Sequence, residues 1–216
     1  MLQINNITVV RNDTVLLQNI NLLLPHGDKA VITGPSGSGK SSLLAVINGT
    51  LSPLAGQVFC NGIEVKPENL SKHRQFLAMI EQEPVLAAEK VDEALLLPFN
   101  FRLNSQLPKP DRKELENVLT EFDLPVHILN QLCSELSGGE KQRIAVARIK
   151  LLHRQVILAD EATSALDDRS YEEVLNYLLT PELTVLAVSH DPRLIERFPV
   201  ILKVKDHTLQ QCGDRI

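Results

Sequence analysis

The amino-terminal part of the chain alternates short apolar runs with clusters of turn-forming residues. Such runs, bounded by Gly, Pro, Asn and Asp, are typical of β-strands. The turn residues of segment 11–14 predict that the first two strand regions form an antiparallel pair. The runs 2–4 and 7–10 form one predicted strand region, and the runs 15–17 and 20–24 form another. Further strands are predicted over 29–33, 57–60, 63–65 and 76–80, and one helix over 41–48.

The pattern changes at about residue 84, where the strand signals fade and helical spacing begins. Helices are predicted over 89–97, 111–121 and 126–132, and prolines separate them. We therefore expect an all-helical insert over about 84–135.

Beyond the insert, helices and strands alternate. The predicted order is helix 137–152, strand 156–159, helix 168–179, strand 184–188, helix 192–198 and strand 200–204. Strands that alternate with helices indicate an α/β fold with a mainly parallel core sheet. We predict a single domain over 1–216, in which an N-terminal antiparallel β subdomain and the helical insert accompany a core of 1–83 and 136–216.

Length and charge narrow the classes of function. The 216 residues fit one large domain or two small ones. The 22 Lys and Arg against 27 Asp and Glu give a net charge of −5. An acidic chain gains nothing from counterion release, so no nucleic-acid partner is expected. No apolar run approaches about 18 residues, so no membrane span is expected, and no export signal is visible at the first residues.

The segment 34–41, Gly-Pro-Ser-Gly-Ser-Gly-Lys-Ser, matches the phosphate-loop pattern G-x-x-x-x-G-K-[ST]. It follows a predicted strand and opens a predicted helix, as that motif requires. Its glycines let backbone N–H groups face phosphate oxygens, Lys40 supplies a positive charge, and the Ser41 hydroxyl can bind Mg²⁺. A plain glycine-rich turn is the alternative, and the motif alone does not separate kinases, GTPases and transport ATPases. The expected ATP-binding residues here are Gly34, Pro35, Ser36, Gly37, Ser38, Gly39, Lys40, Ser41 and Ser42.

An apolar strand ends in two acids, Asp160 and Glu161. Because successive strand residues face opposite sides, the two carboxylates are expected to act differently. Asp160 can hold the Mg²⁺ shell, and Glu161 can accept a hydrogen bond from an attacking water. The alternative is that both acids merely cap the next helix.

The segment 136–143, Leu-Ser-Gly-Gly-Glu-Lys-Gln-Arg, admits two interpretations. Ser137 and Glu140 have the spacing of a capping box before an apolar helix. Gly138 and Gly139 are unfavourable in the first turn of a helix. They make sense if a phosphate approaches this backbone closely.

With these motifs the sequence resembles the ATP-binding cassette (ABC) ATPases over about residues 2–210. The family elements stand in order: the phosphate loop, a glutamine loop at Gln82, the signature 136–142, the acidic strand, the D-loop 164–167 and the switch histidine His190. Within the family, the sequence is most similar to small bacterial cassettes of the Fet type, which are linked to iron export.

The resemblance implies an ATPase of P-loop fold that converts ATP and water to ADP and phosphate with Mg²⁺. Two cassettes pair head to tail, so that each ATP is held by one subunit and also contacted by its partner. The residues implied to act on the partner's ATP are Ser137, Gly138, Gly139 and Asp167. The implied catalytic residues are Glu161, His190, Gln82 and Lys40, and the implied Mg²⁺ ligands are Ser41, Gln82 and Asp160.

One departure from the family concerns the base of the nucleotide. The family places an aromatic side chain near the first turn to stack on adenine. Here the six Phe and two Tyr begin only at Phe59. By spacing, Arg11 stands at that position, and its guanidinium plane is the candidate to pack on the base.

A cassette of this kind implies a separate membrane permease, a second cassette, and a place on the cytoplasmic face of the cell membrane. The clustered apolar residues of 84–102 are expected to line a groove for the permease. A non-transport cassette that uses ATP as a conformational switch on protein or nucleic acid is the alternative, and a P-loop kinase is a third. The cargo, the direction of transport and the identity of the partner cassette are left open.

Overall fold

The computed structural model describes residues 1–212, so the last four residues of the predicted domain, 213–216, lie outside the described part. The strands within 1–212 form a four-stranded sheet and a six-stranded sheet. Most of their strands follow from the apolar pattern of the sequence.

The four-stranded sheet is built from β1 (Leu2–Arg11), β2 (Thr14–Leu24), β4 (Ala55–Cys60) and β5 (Ile63–Glu64). It is antiparallel, in the order β2-β1-β4-β5. β1 and β2 each continue through a polar break, and each contains the two apolar runs that the sequence pattern groups into one stretch. Asn6 and Asn19, with φ angles of 51° and 52°, lie where the pairing register shifts, so these breaks are bulges within continuous strands.

The six-stranded sheet is built from β3 (Lys29–Thr33), β6 (Leu77–Ile80), β7 (Val156–Asp160), β8 (Thr184–Val188), β9 (Val200–Lys205) and β10 (Thr208–Cys212). Its order is β10-β9-β3-β8-β7-β6. β9, β3, β8 and β7 pair in parallel, and β10 pairs antiparallel with β9. The predicted α/β class with a mainly parallel core sheet is therefore confirmed.

The helices that the structure describes are α1 (Lys40–Ile47), α2 (Leu70–His73), α3 (Val91–Leu96), α4 (Arg112–Glu121), α5 (Gly138–Leu151), α6 (Asp168–Leu178) and α7 (Pro192–Arg197). β3, β7 and β8 are almost fully buried, as their continuous apolar runs require. Leu43, Leu44 and Ile47 of α1 are buried in the same core as the inward side chains of β1 and β2. This core fixes the carboxyl ends of β3 and β7, which lead into the two segments with the predicted chemistry.

The described chain contains two compact units. The first consists of 1–79, 155–161 and the part from 179 to the end of the described chain, and the second consists of 80–154 and 162–178. The second unit extends beyond the predicted insert because α5 packs on α3 and α4, and α6 packs on α5. That the chain forms one cassette domain stays a prediction.

Two predicted helices are wrong in part. The helix predicted over 126–132 is a 3-10 turn at Val126–Asn130, which starts after Pro125 and closes with the N–H of Ile128 on the carbonyl of Pro125. The helix predicted over 89–97 ends as α3 at Leu96. Pro98 cannot continue an α-helical hydrogen-bond ladder, and the chain tightens into a 3-10 turn over Leu97–Asn100.

The sequence pattern also misses two elements, α2 and β10. β10 reads Thr-Leu-Gln-Gln-Cys and is mostly exposed, so it lacks an apolar alternation. The turn before it, Asp206-His207, takes positive φ angles of 49° and 61° without the glycine that normally marks such a turn.

No helix within residues 1–212 is both long and apolar enough to cross a membrane.

Candidate functional site

The loop between β3 and α1 has backbone that only glycine adopts easily. Gly34 has a φ angle of 145°, and a Cβ placed there would lie 3.0 Å from the Cβ of Val204 in β9. Gly39 has a φ angle of 96°, and a Cβ placed there would lie 2.9 Å from the Cβ of Leu16 in β2. The loop is therefore pressed between β2 and β9, and a side chain at either glycine would push it open.

The amino-terminus of α1 leaves its backbone donors without a side-chain cap. Its N-cap residue is Gly39, and the first turn holds no acidic residue. The hydroxyl of Ser38 is buried and has no hydrogen-bond partner among the described residues. A buried orphan hydroxyl beside an uncapped helix end fits a phosphate group, which accepts hydrogen bonds from both.

Lys40 is buried at the start of α1. Its Nζ donates to the carbonyls of Gly34 and Pro35, each at 2.8 Å. Burial lowers the pKa of the Lys40 ammonium, and the carboxylates of Glu161 and Asp160 oppose that shift. The structure thus brings the predicted lysine together with both predicted acids.

β7 ends at Asp160, which is buried at 9% exposure. Glu161 does not continue the strand, because its φ angle is 47°. Its N–H donates to the carbonyl of Val188 at 3.0 Å. The two acids do have different environments, but the reason is the backbone turn at Glu161 and not the strand alternation that the sequence analysis used.

Glu161 and His190 lie together, as the sequence analysis implied. Nε2 of His190 is 3.6 Å from Oε1 of Glu161, and the imidazole side chain is 55% exposed. Asp191, the next residue, caps α7 through the N–H of Arg193 at 2.9 Å. The backbone at His190 is therefore fixed by a helix start, and the imidazole remains accessible beside the carboxylate.

The predicted Mg²⁺ ligands divide between the two units. Ser41 and Asp160 belong to the first unit, and their hydroxyl and carboxylate oxygens are the donors that Mg²⁺ prefers. Gln82 belongs to the second unit and is exposed. No group of three or more His, Cys, Asp or Glu residues within 1–212 is placed to hold a metal ion by itself.

The signature segment forms a complete capping box at the start of α5. The backbone N–H and the hydroxyl of Ser137 both donate to Oε2 of Glu140, at 2.8 Å and 2.7 Å. The N–H of Glu140 donates back to Oγ of Ser137 at 3.2 Å. These two donors hold the pKa of Glu140 below its usual range. The capping interpretation of the sequence is therefore realised in the fold.

Gly138 and Gly139 are not equivalent. A Cβ on Gly138 would meet nothing within 4 Å, and this residue has no left-handed backbone. A Cβ on Gly139 would lie 3.2 Å from the carbonyl of Ala165. The fold of the chain explains the second glycine but gives no reason for the first.

The D-loop aspartate is tied to its own helix. The hydroxyl of Ser170 donates to Oδ2 of Asp167 at 2.9 Å, and the N–H of Ser170 donates to Oδ1 at 3.0 Å. These bonds hold the pKa of Asp167 below its usual range. Arg143 of α5 donates to the same hydroxyl at 2.7 Å. The sequence analysis missed Arg143 because it belongs to a different helix, and it missed Ser170 although the three-residue spacing from Asp167 is a local signal of a helix start.

The segment around the glutamine loop is attached to α5. Nε2 of Gln142 donates to the carbonyl of Glu81 at 3.1 Å. The guanidinium of Arg148 donates to the carbonyls of Leu86 and Val85, at 3.1 Å and 3.2 Å. Gln82 therefore lies between fixed backbone points, although its own side chain is exposed.

Arg11, the predicted base-stacking residue, is exposed at the end of β1. A cavity of about 640 Å³ lies beside the phosphate loop, and Arg11 is not one of the described residues that line it. The lining therefore gives no support to the role that the sequence analysis assigned to Arg11.

The uncapped α1, the buried lysine and the strand β7 that ends in an acid define a P-loop nucleoside triphosphatase. Comparison with known proteins narrows the class. The profile of the ABC transporter family matches residues 17–164. The chain belongs to that family, as one of its ATP-binding ATPase cassettes.

Three relatives show how far the similarity extends. The chain is 35% identical over 211 residues to the probable iron export ATP-binding protein FetA of Escherichia coli (strain K12), covering 96% of this chain and 92% of that protein. It is 31% identical to ABC transporter B family member 18 of Arabidopsis thaliana, of which it spans 17%. Among solved structures, the chain is similar to the ATP-binding cassette MJ0796, in a dimeric post-hydrolysis state bound to ADP and Pi. The TM-score is 0.85 and the sequence identity is 27%, over 99% of this chain and 98% of that one.

Proposed function

We propose that this chain hydrolyses Mg²⁺-ATP in a head-to-tail pair of cassettes that drives a separate permease. The observation that carries the proposal is the uncapped amino-terminus of α1, which contains the buried Lys40 and follows the orphan hydroxyl of Ser38. The dimeric form of the similar cassette MJ0796 supports the pairing. A P-loop kinase would leave the signature segment and His190 without a role.

Glu161 is proposed to orient the water that attacks the γ-phosphate. Its carboxylate lies 3.6 Å from Nε2 of His190. The imidazole of His190 would contact the γ-phosphate and keep the Glu161 carboxylate in position. Ser41 and Asp160 would hold Mg²⁺, with Gln82 completing the shell. The ion, when bound, neutralises the developing charge on the phosphates.

The glycines at the start of α5 are proposed to face the ATP of the partner subunit. Gly138 has open space around it, so a phosphate can approach the backbone there without displacing this chain's own atoms. Ser137 and Gly139 flank that position. Asp167 would reach the partner from its place directly before α6, where Ser170 holds it.

A hydrolysis experiment tests the catalytic assignment. Glu161→Gln keeps the shape of the side chain and removes the base, so ATP binding should persist while turnover falls about 100-fold or more. Phosphate release and ATP binding are measured on the same samples. Glu68→Gln, an exposed acid in the first unit, is the matched control and should behave as wild type. Wild-type turnover in Glu161→Gln would remove Glu161 from the mechanism.

The permease surface is proposed to include Val85 and Phe101. These apolar side chains are 69% and 54% exposed, although others in 84–102, such as Leu86 and Leu95, are buried in the core. Exposed apolar side chains beside the glutamine loop fit a membrane subunit that docks there and senses ATP. The similarity to FetA suggests iron export as the transport reaction and the cytoplasmic face of the membrane as the location.

Copurification tests this surface and separates transport from the soluble-switch alternative. The tagged chain, recovered from detergent-solubilised native membranes, should retain a multi-span membrane protein. Val85→Asp should lose most of it, because a buried charge disfavours an apolar interface. Leu54→Asp, at a site 71% exposed in the first unit, should retain it. A wild-type chain that stays out of the membrane fraction and binds ribosomes or DNA would contradict transport.

A further inference from the structure

The cavity beside the phosphate loop has walls from three segments. Pro35, Gly37 and Ser38 of the loop form one wall, and residues 14–16 at the start of β2 form another. The third is the end of β9 with its following turn, 203–207. Its volume of about 640 Å³ is within the range of small-molecule sites. Because the loop itself lines the cavity, a nucleotide whose phosphates lie on the loop has this space for its base.

His207 has the one aromatic ring among the described residues that line this cavity. No Phe, Tyr or Trp stands before Phe59 in the sequence, so the usual platform in β1 and β2 is missing. An imidazole is planar and stacks on nucleobases, as other aromatic side chains do. The cavity thus contains one flat ring, and it lies in the turn between β9 and β10.

The position of His207 is fixed by bonds to β2. Its Nδ1 lies 3.2 Å from the carbonyl of Leu16, an acceptor, so this nitrogen carries the proton of the bond. The carbonyl of His207 accepts from the N–H of Gln18 at 2.8 Å. Leu16 also touches the loop, because a Cβ on Gly39 would lie 2.9 Å from its Cβ. One residue of β2 therefore positions the imidazole and borders the phosphate site.

We propose that the imidazole of His207 packs on the purine base of the bound nucleotide, in place of the missing aromatic and of Arg11. The inference rests on the proposed function, since it requires a nucleoside triphosphate on the loop. Val15 and Leu16 supply apolar contact from β2. Because every base has a π-face, the contact strengthens binding of ATP and GTP alike and contributes nothing to a phosphate chain without a base.

The test compares three ligands: ATP, GTP and inorganic tripolyphosphate. Their affinities are measured by calorimetry with Glu161→Gln as the background, so that no ligand is consumed. His207→Asn removes the ring but suits the left-handed turn, because Asn tolerates a φ angle such as the 61° found here. We expect about tenfold weaker binding of ATP and GTP, with unchanged tripolyphosphate binding. His207→Phe, which restores a flat ring, should bind ATP within about threefold of the background.

Gln210→Ala, on the exposed part of β10 and outside the cavity lining, controls for changes in the hairpin and should leave all three affinities unchanged. Unchanged ATP affinity in His207→Asn would overturn the inference, as would a loss in Arg11→Ala alone. An equal loss of ATP and tripolyphosphate in His207→Asn would overturn it too, since the effect would then lie on the loop. If the background protein binds none of the ligands, the proposed function itself fails, so the two failures are distinguishable.

Discussion

Glycines precede the amino-terminus of α1 and form the first turn of α5, but the backbone donors of these two helix starts have different partners. α1 begins at Gly39 with no side-chain cap and no acid in its first turn. α5 begins with a closed box between Ser137 and Glu140, and Glu140 places a negative charge in its first turn. The start of α1 leaves its donors without a side-chain cap, and the start of α5 pairs the N–H of Glu140 with the hydroxyl of Ser137.

This difference teaches that a glycine-rich helix start has two separate uses. At α1, the left-handed glycines shape the loop and the end is left open, so a single chain contains a prepared phosphate site. At α5, the fold is complete without an anion, and Gly138 still leaves open backbone on the surface. A phosphate at α5 must therefore be delivered from outside the chain, as a partner's ATP would be.

The largest effects are expected when the start of each helix is altered separately, which tests whether α1 and α5 have different roles. Lys40→Ala removes the ammonium at α1, so ATP binding by isolated chains should fall tenfold or more. Ser137→Arg removes the capping hydroxyl and adds bulk at α5, so hydrolysis should stop while binding by isolated chains persists. Equilibrium dialysis of ATP in dilute protein and phosphate release in concentrated protein measure the two effects. If Ser137→Arg weakens binding by isolated chains, the two ends do not have separate roles.

A smaller effect is expected at Gly138. Because a Cβ there meets nothing within 4 Å, Gly138→Ala should raise the free energy of unfolding by about 0.5–1 kcal/mol through helix propensity. Turnover should nevertheless fall, since the added methyl group covers the open backbone. Denaturant unfolding and phosphate release are the measurements. Gly139→Ala, whose Cβ would lie 3.2 Å from the Ala165 carbonyl, should gain less stability. A more stable Gly138→Ala with full turnover would remove the reason for a glycine at this position.

The sequence predicted the motifs at the two helix starts, but it did not predict the backbone turn and the pairing of Glu161. The spacing of the phosphate loop identified Lys40 and Ser41, and the S-x-x-E spacing identified the capping box, because both are local patterns. The turn at Glu161, with a φ angle of 47°, could not be predicted, since nothing in an acidic residue marks a left-handed backbone. Its pairing with His190 depends on β7 and β8 being neighbours, which is a property of the sheet.

The base site was beyond local prediction for the same reason. Arg11 was chosen by its spacing in the sequence, but the cavity is lined in part by the turn after β9, almost 200 residues further along the chain. β10 itself was not predicted, because an exposed polar edge strand has no apolar alternation. Contacts between strands that are distant in sequence depend on the sheet topology, and local spacing patterns cannot predict them.

A mixing experiment tests most directly whether each ATP is completed by the α1 end of one chain and the α5 end of another. Lys40→Ala and Ser137→Arg, each inactive alone, are mixed in equal amounts and phosphate release is measured. Paired cassettes of one variant with the other contain one intact site, so the mixture should recover about a quarter of the wild-type rate. A mixture that remains as inactive as its components would contradict the shared site.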